Sequence, residues 1–323
     1  MLAAKLTDPP GIDLVETEVP RPGRGECLVE VRACGICASD LRFLAGHGAA
    51  RPGTTLGHEA TGIVVGLGED VDRSLSDQPV AINPLIGCGA CSRCVAGRPQ
   101  RCPGREFVGI QRDGAFAEFV KVPAENLVSL PPDADLVSSA LAEPFSVARH
   151  ALGPGVAESI AVIGAGGIGL GAILVARARG TEVVLADDLS EAALGKALRC
   201  GAQPLPTDRT ELVAQVIDCS GAAKALPRST EVVSSGGEIV LVGIASDAVF
   251  PYEMFVRGEL RARGAFAYEP ADFEEVAPGL GSGHLDATPL AVETVPLTAI
   301  NDAVEILRAD PGAHSRIIVQ PRP

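Results

Sequence analysis

Hydrophobic and polar residues change rhythm once along the chain. Up to about residue 130 the apolar positions fall in short alternating or β-branched runs: Cys27 to Ala33, Ala60 to Gly66, and Phe116 to Val122 after an Asp113-Gly114 turn. Period-two alternation between turn residues predicts a mostly β segment. From Ser159 the runs are short and wholly apolar, at Ile160 to Ile163, Val183 to Ala186, Val216 to Cys219 and Ile239 to Val242. Such runs predict strands of a parallel sheet, buried on both faces. Between the first two, Leu170, Ile173, Leu174 and Ala178 keep helical spacing, Arg177 and Arg179 fill the last turn, and Gly180 stops it. Alternating strand and helix define an α/β fold. After about Asp286, a strand at Val292 to Val295, a helix at Ile300 to Arg308 and a strand at Arg316 to Val319 predict a return to the first domain. The expected division is therefore 1–148, 149–285 and 286–323, without internal repeats or low-complexity segments.

Composition narrows the class. The 323 residues suffice for about two domains, and 46% hydrophobic with 21% charged residues is a folded, globular balance. With 3% aromatics, 37 Gly and 25 Pro, the core is aliphatic and turns are frequent. A formal charge of −14 repels phosphate backbones and anionic headgroups, so neither nucleic acid nor a membrane surface is an expected partner. The uncharged stretch Ser159 to Ala176 is long enough for a membrane span, but its glycines suit a strand, a turn and a helix better. Asp8-Pro9-Pro10-Gly11 interrupts the N-terminus before any signal-peptide core builds up, and a cytoplasmic location is expected.

Four of the nine cysteines lie close together, at Cys88, Cys91, Cys94 and Cys102, in a lobe expected over 84–104. Thiolates at this spacing can close the tetrahedral shell of a structural zinc ion. Disulfides and free thiols are weaker alternatives. An iron–sulfur cluster is the serious rival, although the last gap is longer than in ferredoxin runs. A second set comprises Cys37, in Cys34-Gly-Ile-Cys37-Ala-Ser39-Asp40, and Gly57-His58-Glu59. Thiolate, imidazole and carboxylate together suit a catalytic zinc with an open position, though each alone has a bland structural explanation.

The segment Gly164-Ala-Gly166-Gly167-Ile168-Gly169 is G-x-G-x-x-G directly after a strand and opening a helix. In that context Gly164 permits a tight turn, Gly166 lets the backbone approach a pyrophosphate, and Gly169 lets the helix pack on the sheet. Asp187 and Asp188 follow about 20 residues on, where a carboxylate binds the ribose hydroxyls of NAD and repels the 2′-phosphate of NADP. Asp187 has the better spacing. An FAD site or an unrelated Gly-rich turn is the alternative.

Taken together, Cys34-Gly-Ile-Cys37-Ala-Ser39-Asp40, Gly57-His58-Glu59, the four-cysteine lobe, Asp113-Gly-Ala-Phe116-Ala-Glu118, Glu143-Pro144-Phe-Ser-Val-Ala and Gly164 to Gly169 resemble the zinc-dependent medium-chain dehydrogenase/reductase family. The resemblance spans nearly the whole chain. It implies a GroES-like, mostly β catalytic domain made of both chain ends, a Rossmann doubly wound parallel-sheet domain between them, and a homodimer or homotetramer. It also implies two zinc ions and NAD as cofactors, with Cys37, His58 and Glu59 as ligands of the catalytic zinc and Glu143 as a further candidate. Glu-Pro-x-Ser-Val is typical of the polyol and threonine branch, which implies oxidation of a secondary alcohol of a polyol, sugar or aminocyclitol. Ser39 would take the first proton. Arg42 stands where the family often has a relay histidine, so His47 or the nicotinamide ribose would complete the relay. The acidic chain favours an uncharged or amine-bearing substrate over hydroxy acids and sugar phosphates. The rival functions are a dehydrogenase or reductase of simple alcohols, a zinc-free reductase of the same fold, and a non-catalytic NAD- or zinc-binding protein.

Overall fold

The computed structural model describes residues 1–206, 212–244, 249–310, 312, 314 and 316–322. The chain forms two compact units, Met1–Glu143 with Glu269–His284 and Val292–Pro323, and Pro144–Tyr268 with Leu285–Ala291.

The first unit is built on a seven-stranded sheet around the strand Glu26–Gly35. That strand pairs antiparallel with Glu59–Leu67, Phe119–Pro123 and the C-terminal strand Ile317–Gln320. Its alternation is visible in burial: Cys27, Val29, Val31 and Ala33 are fully buried, while Leu28, Glu30 and Arg32 are only partly covered. Cys27, Val29 and Val31 join Val64, Val80, Val122, Ile317 and Val319 in one core. Because Val319 pairs with Cys34 and Ile318 with Gly35, the chain's end is laid beside the residues that lead into Cys37.

The division by contacts differs from the expected limits at 148 and 285. The helix Pro270–Gly281 belongs to the first unit, and the short segment Leu285–Ala291 to the second. Phe273, Val276, Ala277 and Leu280 make one buried helical face. A Cβ on Gly281 would lie 3.1 Å from Pro131, so this helix packs closely on the loop after Leu127–Ser129. Its hydrophobic spacing reveals a buried face but not which unit buries it.

The second unit holds a six-stranded parallel sheet in the order Gln203–Pro204, Val183–Asp187, Ser159–Ile163, Val213–Asp218, Val233–Leu241, Arg261–Gly264. Numbered by sequence, this is the doubly wound order 3-2-1-4-5-6. The helices Gly167–Ala178, Glu191–Arg199 and Ala225–Val232 connect its strands. The order reverses between Ser159–Ile163 and Val213–Asp218, and ligands of such sheets bind outside the carboxyl ends of the strands at that point. The uncharged stretch from Ser159 is thus a strand, a turn and most of a helix. No helix among the described residues is long and apolar enough to cross a membrane.

Candidate active site

In the first unit, Cys37 caps the short helix Ala38–Phe43 and its N–H donates to Asp40 Oδ2 at 2.9 Å. Gly57 brings in His58. Its φ is +95°, and a Cβ there would lie 2.7 Å from the Phe116 nitrogen and 2.9 Å from Cys34 Sγ, so only glycine allows the close approach. His58 Nε2 then lies 3.3 Å from Ser39 Oγ and Nδ1 3.6 Å from Asp40 Oδ1. Glu59 is fully buried at the start of Glu59–Leu67, and its Oε1 accepts a 2.8 Å hydrogen bond from Arg316 Nη2.

One donor atom each from Cys37, His58 and Glu59 lies within 4.8 Å of the others. Among the described residues, Glu59 Oε2 and His58 Nδ1 are buried without a hydrogen-bond partner. Cys37, Asp40, Glu59 and Glu143 outnumber His58 and Arg316 in this buried cluster. Burial pushes the Asp40 carboxyl up to about 6 and the Glu143 carboxyl up to about 7, against the pull of the His58 imidazole. Burial also opposes charge on His58, but Asp40 and Cys37 outweigh it and hold its pKa well above the ordinary value. An orphaned carboxylate oxygen, a thiol and an imidazole amid surplus negative charge fit a divalent zinc. Glu143, on the helix Ala142–Leu152, stands outside the converged set among the described residues. Arg42 and His47 are exposed.

In the lobe, the Sγ atoms of Cys88, Cys91, Cys94 and Cys102 also lie within 4.8 Å of one another, with Cys91 to Cys94 at 3.6 Å and Cys88 to Cys94 at 4.0 Å. Four sulfurs about 2.3 Å from one zinc ion would stand about 3.8 Å apart. The measured separations fit that shell. They are too long for S–S bonds, at about 2.0 Å, and an iron–sulfur cluster would wedge the sulfurs farther apart. The N–H groups of Ala90 and Cys91 draw the Cys88 thiol down to about 6, which prepares it as a thiolate.

In the second unit, Gly164 turns the chain at φ +91° after Ser159–Ile163, and Gly166 caps Gly167–Ala178. A Cβ on Gly169 would lie 2.0 Å from the Gly164 carbonyl oxygen, whereas one on Gly166 would meet nothing within 4 Å. The turn is tight where helix meets sheet and open at the helix N-terminus, where a pyrophosphate fits. Beside it lies a cavity of about 410 Å³ lined by Gly164, Asp187, Asp188, Ser220, Lys224 and Arg228. Asp188 accepts from the N–H groups of Ala165 at 2.7 Å and Ser190 at 2.8 Å. Asp187 meets Arg228 Nε at 3.2 Å. Asp40, Arg316, Lys224 and Arg228 were not singled out for these roles by the sequence. Asp40 belongs to the Cys34-to-Asp40 motif, while the arginines are remote in sequence and carry no local signal.

The two units define a zinc-type oxidoreductase: a dinucleotide sheet on one, a thiolate, imidazole and carboxylate set on the other. Residues 23–132 match the alcohol dehydrogenase GroES-like domain and residues 167–281 the zinc-binding dehydrogenase domain. The L-galactonate-5-dehydrogenase of Escherichia coli K12 is 31% identical, the match covering 90% of each chain. An alcohol dehydrogenase of E. coli CFT073, rspB, solved with NADH, superposes with a TM-score of 0.91 at 25% identity over 99% of both chains. A zinc-binding dehydrogenase of Sinorhizobium meliloti 1021 bound to NADP does so with a TM-score of 0.91 at 28% identity, again over 99% of both. The chain belongs to the zinc-dependent medium-chain dehydrogenase/reductase family, with a GroES-like and a Rossmann domain. It is a dehydrogenase whose cofactors are zinc and a nicotinamide dinucleotide.

Proposed function

We propose that this enzyme oxidises a secondary alcohol of a hydroxyl-rich small molecule with NAD. The carrying observation is the convergence of Cys37, His58 and Glu59, with Ser39 Oγ 3.3 Å from His58 Nε2. Cys37, His58 and Glu59 would hold the catalytic zinc, with Glu143 in reserve, and the four lobe cysteines a structural one. When bound, zinc supplies Lewis acidity that lowers a hydroxyl's pKa, and the nicotinamide accepts hydride. Ser39 Oγ, 3.3 Å from His58 Nε2, would take the substrate hydroxyl's proton while passing its own on to the nicotinamide ribose or to water. Asp40 Oδ1 faces the other nitrogen at 3.6 Å, an electrostatic contact that favours charge on the imidazole. Gly164, Gly166, Gly167, Ile168 and Gly169 cradle the pyrophosphate, and Asp187 meets the ribose hydroxyls.

The galactonate enzyme supports a polyhydroxylated substrate, and the Glu143-Pro144 motif supports the polyol branch. Galactonate is anionic, so sugar acids join polyols, sugars and aminocyclitols in the proposed class. Exposed Phe250, Tyr252 and Val256 support a homodimer or homotetramer, and the zinc thiolates suit the reducing cytoplasm. The test is NADH formation across a panel of polyols, sugars, sugar acids, aminocyclitols and simple alcohols. Preference for ethanol or butanol over every hydroxyl-rich compound would overturn the substrate class.

A further inference from the structure

A cationic side chain stands at the ribose end of the coenzyme cavity, where the glycine-rich turn gives no hint of one. Arg228 lies on the helix Ala225–Val232 and its guanidinium spans three acceptors. Nε is 3.2 Å from Asp187 Oδ2, Nη1 is 3.1 Å from Glu231 Oε2, and Nη2 is 3.4 Å from the Pro206 carbonyl. Asp188 has no such partner among the described residues: its two oxygens accept from the Ala165 and Ser190 N–H groups and brace the turn. Asp187 is therefore the carboxylate available to a ribose, and Arg228 is what holds it.

We propose that Arg228 sets the nucleotide selectivity of this pocket, fixing Asp187 for the ribose hydroxyls of NAD and becoming a 2′-phosphate group's partner once Asp187 is removed. This role of Arg228 rests on the assignment of the cavity to NAD. An arginine fork tied to two carboxylates and a carbonyl is held in one orientation, and it pins the Asp187 carboxylate in turn. With Asp187 in place, the described residues here are Asp187, Asp188 and Glu231 against Arg228 and Lys224, a net negative surround that repels a phosphate. Replacing Asp187 by serine leaves, among the described residues, two carboxylates against two cations and frees the Nε edge of the fork. One substitution that adds no new cation then turns a repelling site into a binding one.

Equilibrium binding of NADH and NADPH to the zinc-loaded protein tests this, followed by nicotinamide fluorescence, with melting temperatures confirming that each variant is folded. Arg228→Leu is expected to weaken NADH about tenfold, the loss of one charge-assisted hydrogen bond, without improving NADPH. Arg228→Lys should restore part of the loss. Asp187→Ser should tighten NADPH about tenfold or more, and adding Arg228→Leu to it should abolish that gain. NADH binding unchanged in Arg228→Leu, no NADPH gain in Asp187→Ser, or a gain that persists without Arg228 would each overturn the proposal alone. Wild-type protein that binds neither coenzyme would overturn the cavity assignment and the proposal with it.

Discussion

Arg316 Nη2 donates to Glu59 Oε1 across 2.8 Å, an ion pair between the C-terminal strand region and the central sheet in which neither side chain is more than 9% exposed. Nη1 also reaches the Ile36 carbonyl at 3.3 Å, so the arginine is anchored beside the strand that leads to Cys37. Its hold on Oε1 leaves Oε2 as the free ligand atom of Glu59. Removing one partner of a buried pair strands the other charge, which costs about 3–5 kcal/mol. Arg316→Leu should lose that much stability in metal-free protein and clearly less with zinc restored, because the cation then compensates Glu59. Urea unfolding of both proteins in both states measures it. Equal losses with and without zinc would show that Glu59 does not face the metal.

The two thiolate-containing sets differ in closure, and their metal should differ in lability. Cys88, Cys91, Cys94 and Cys102 would supply four ligands, whereas Cys37, His58 and Glu59 would supply three and leave a position open. Mild chelation should remove one zinc equivalent together with activity and leave the second in place until the protein unfolds. Metal analysis before and after chelation decides it. A single zinc in fresh protein, or loss of both at one rate, would be the contrary result.

Local signals made much of this molecule legible. The period-two run at Cys27 to Ala33 appears as the buried face of Glu26–Gly35, and G-x-G-x-x-G appears as the turn at Gly164. The four-cysteine spacing foreshadowed a set of sulfurs 3.6–4.0 Å apart. What the sequence hid is non-local. Arg316 reaches Glu59 only because Ile317–Gln320 pairs with Glu26–Gly35, and nothing near position 316 announces it. Arg228 meets Asp187 because parallel strands bring the start of one helix toward the end of another strand. The amphipathic spacing of Pro270–Gly281 likewise revealed a buried face without its partner.

The proton path divides Ser39 from Arg42. Ser39 Oγ lies 3.3 Å from His58 Nε2, beside the converged set, whereas Arg42 is exposed three residues further along. A group that accepts the substrate proton contributes roughly 100- to 10,000-fold to turnover. Ser39→Ala should therefore lower kcat by that factor while leaving coenzyme binding and zinc content intact. Arg42→Ala, which removes a solvated charge, should change kcat far less. Steady-state kinetics on the best substrate, with zinc content and NADH affinity measured on the same samples, separates the two. An Arg42 variant as impaired as the Ser39 variant would place Arg42 in the proton path, and an unimpaired Ser39→Ala enzyme would remove the serine from it.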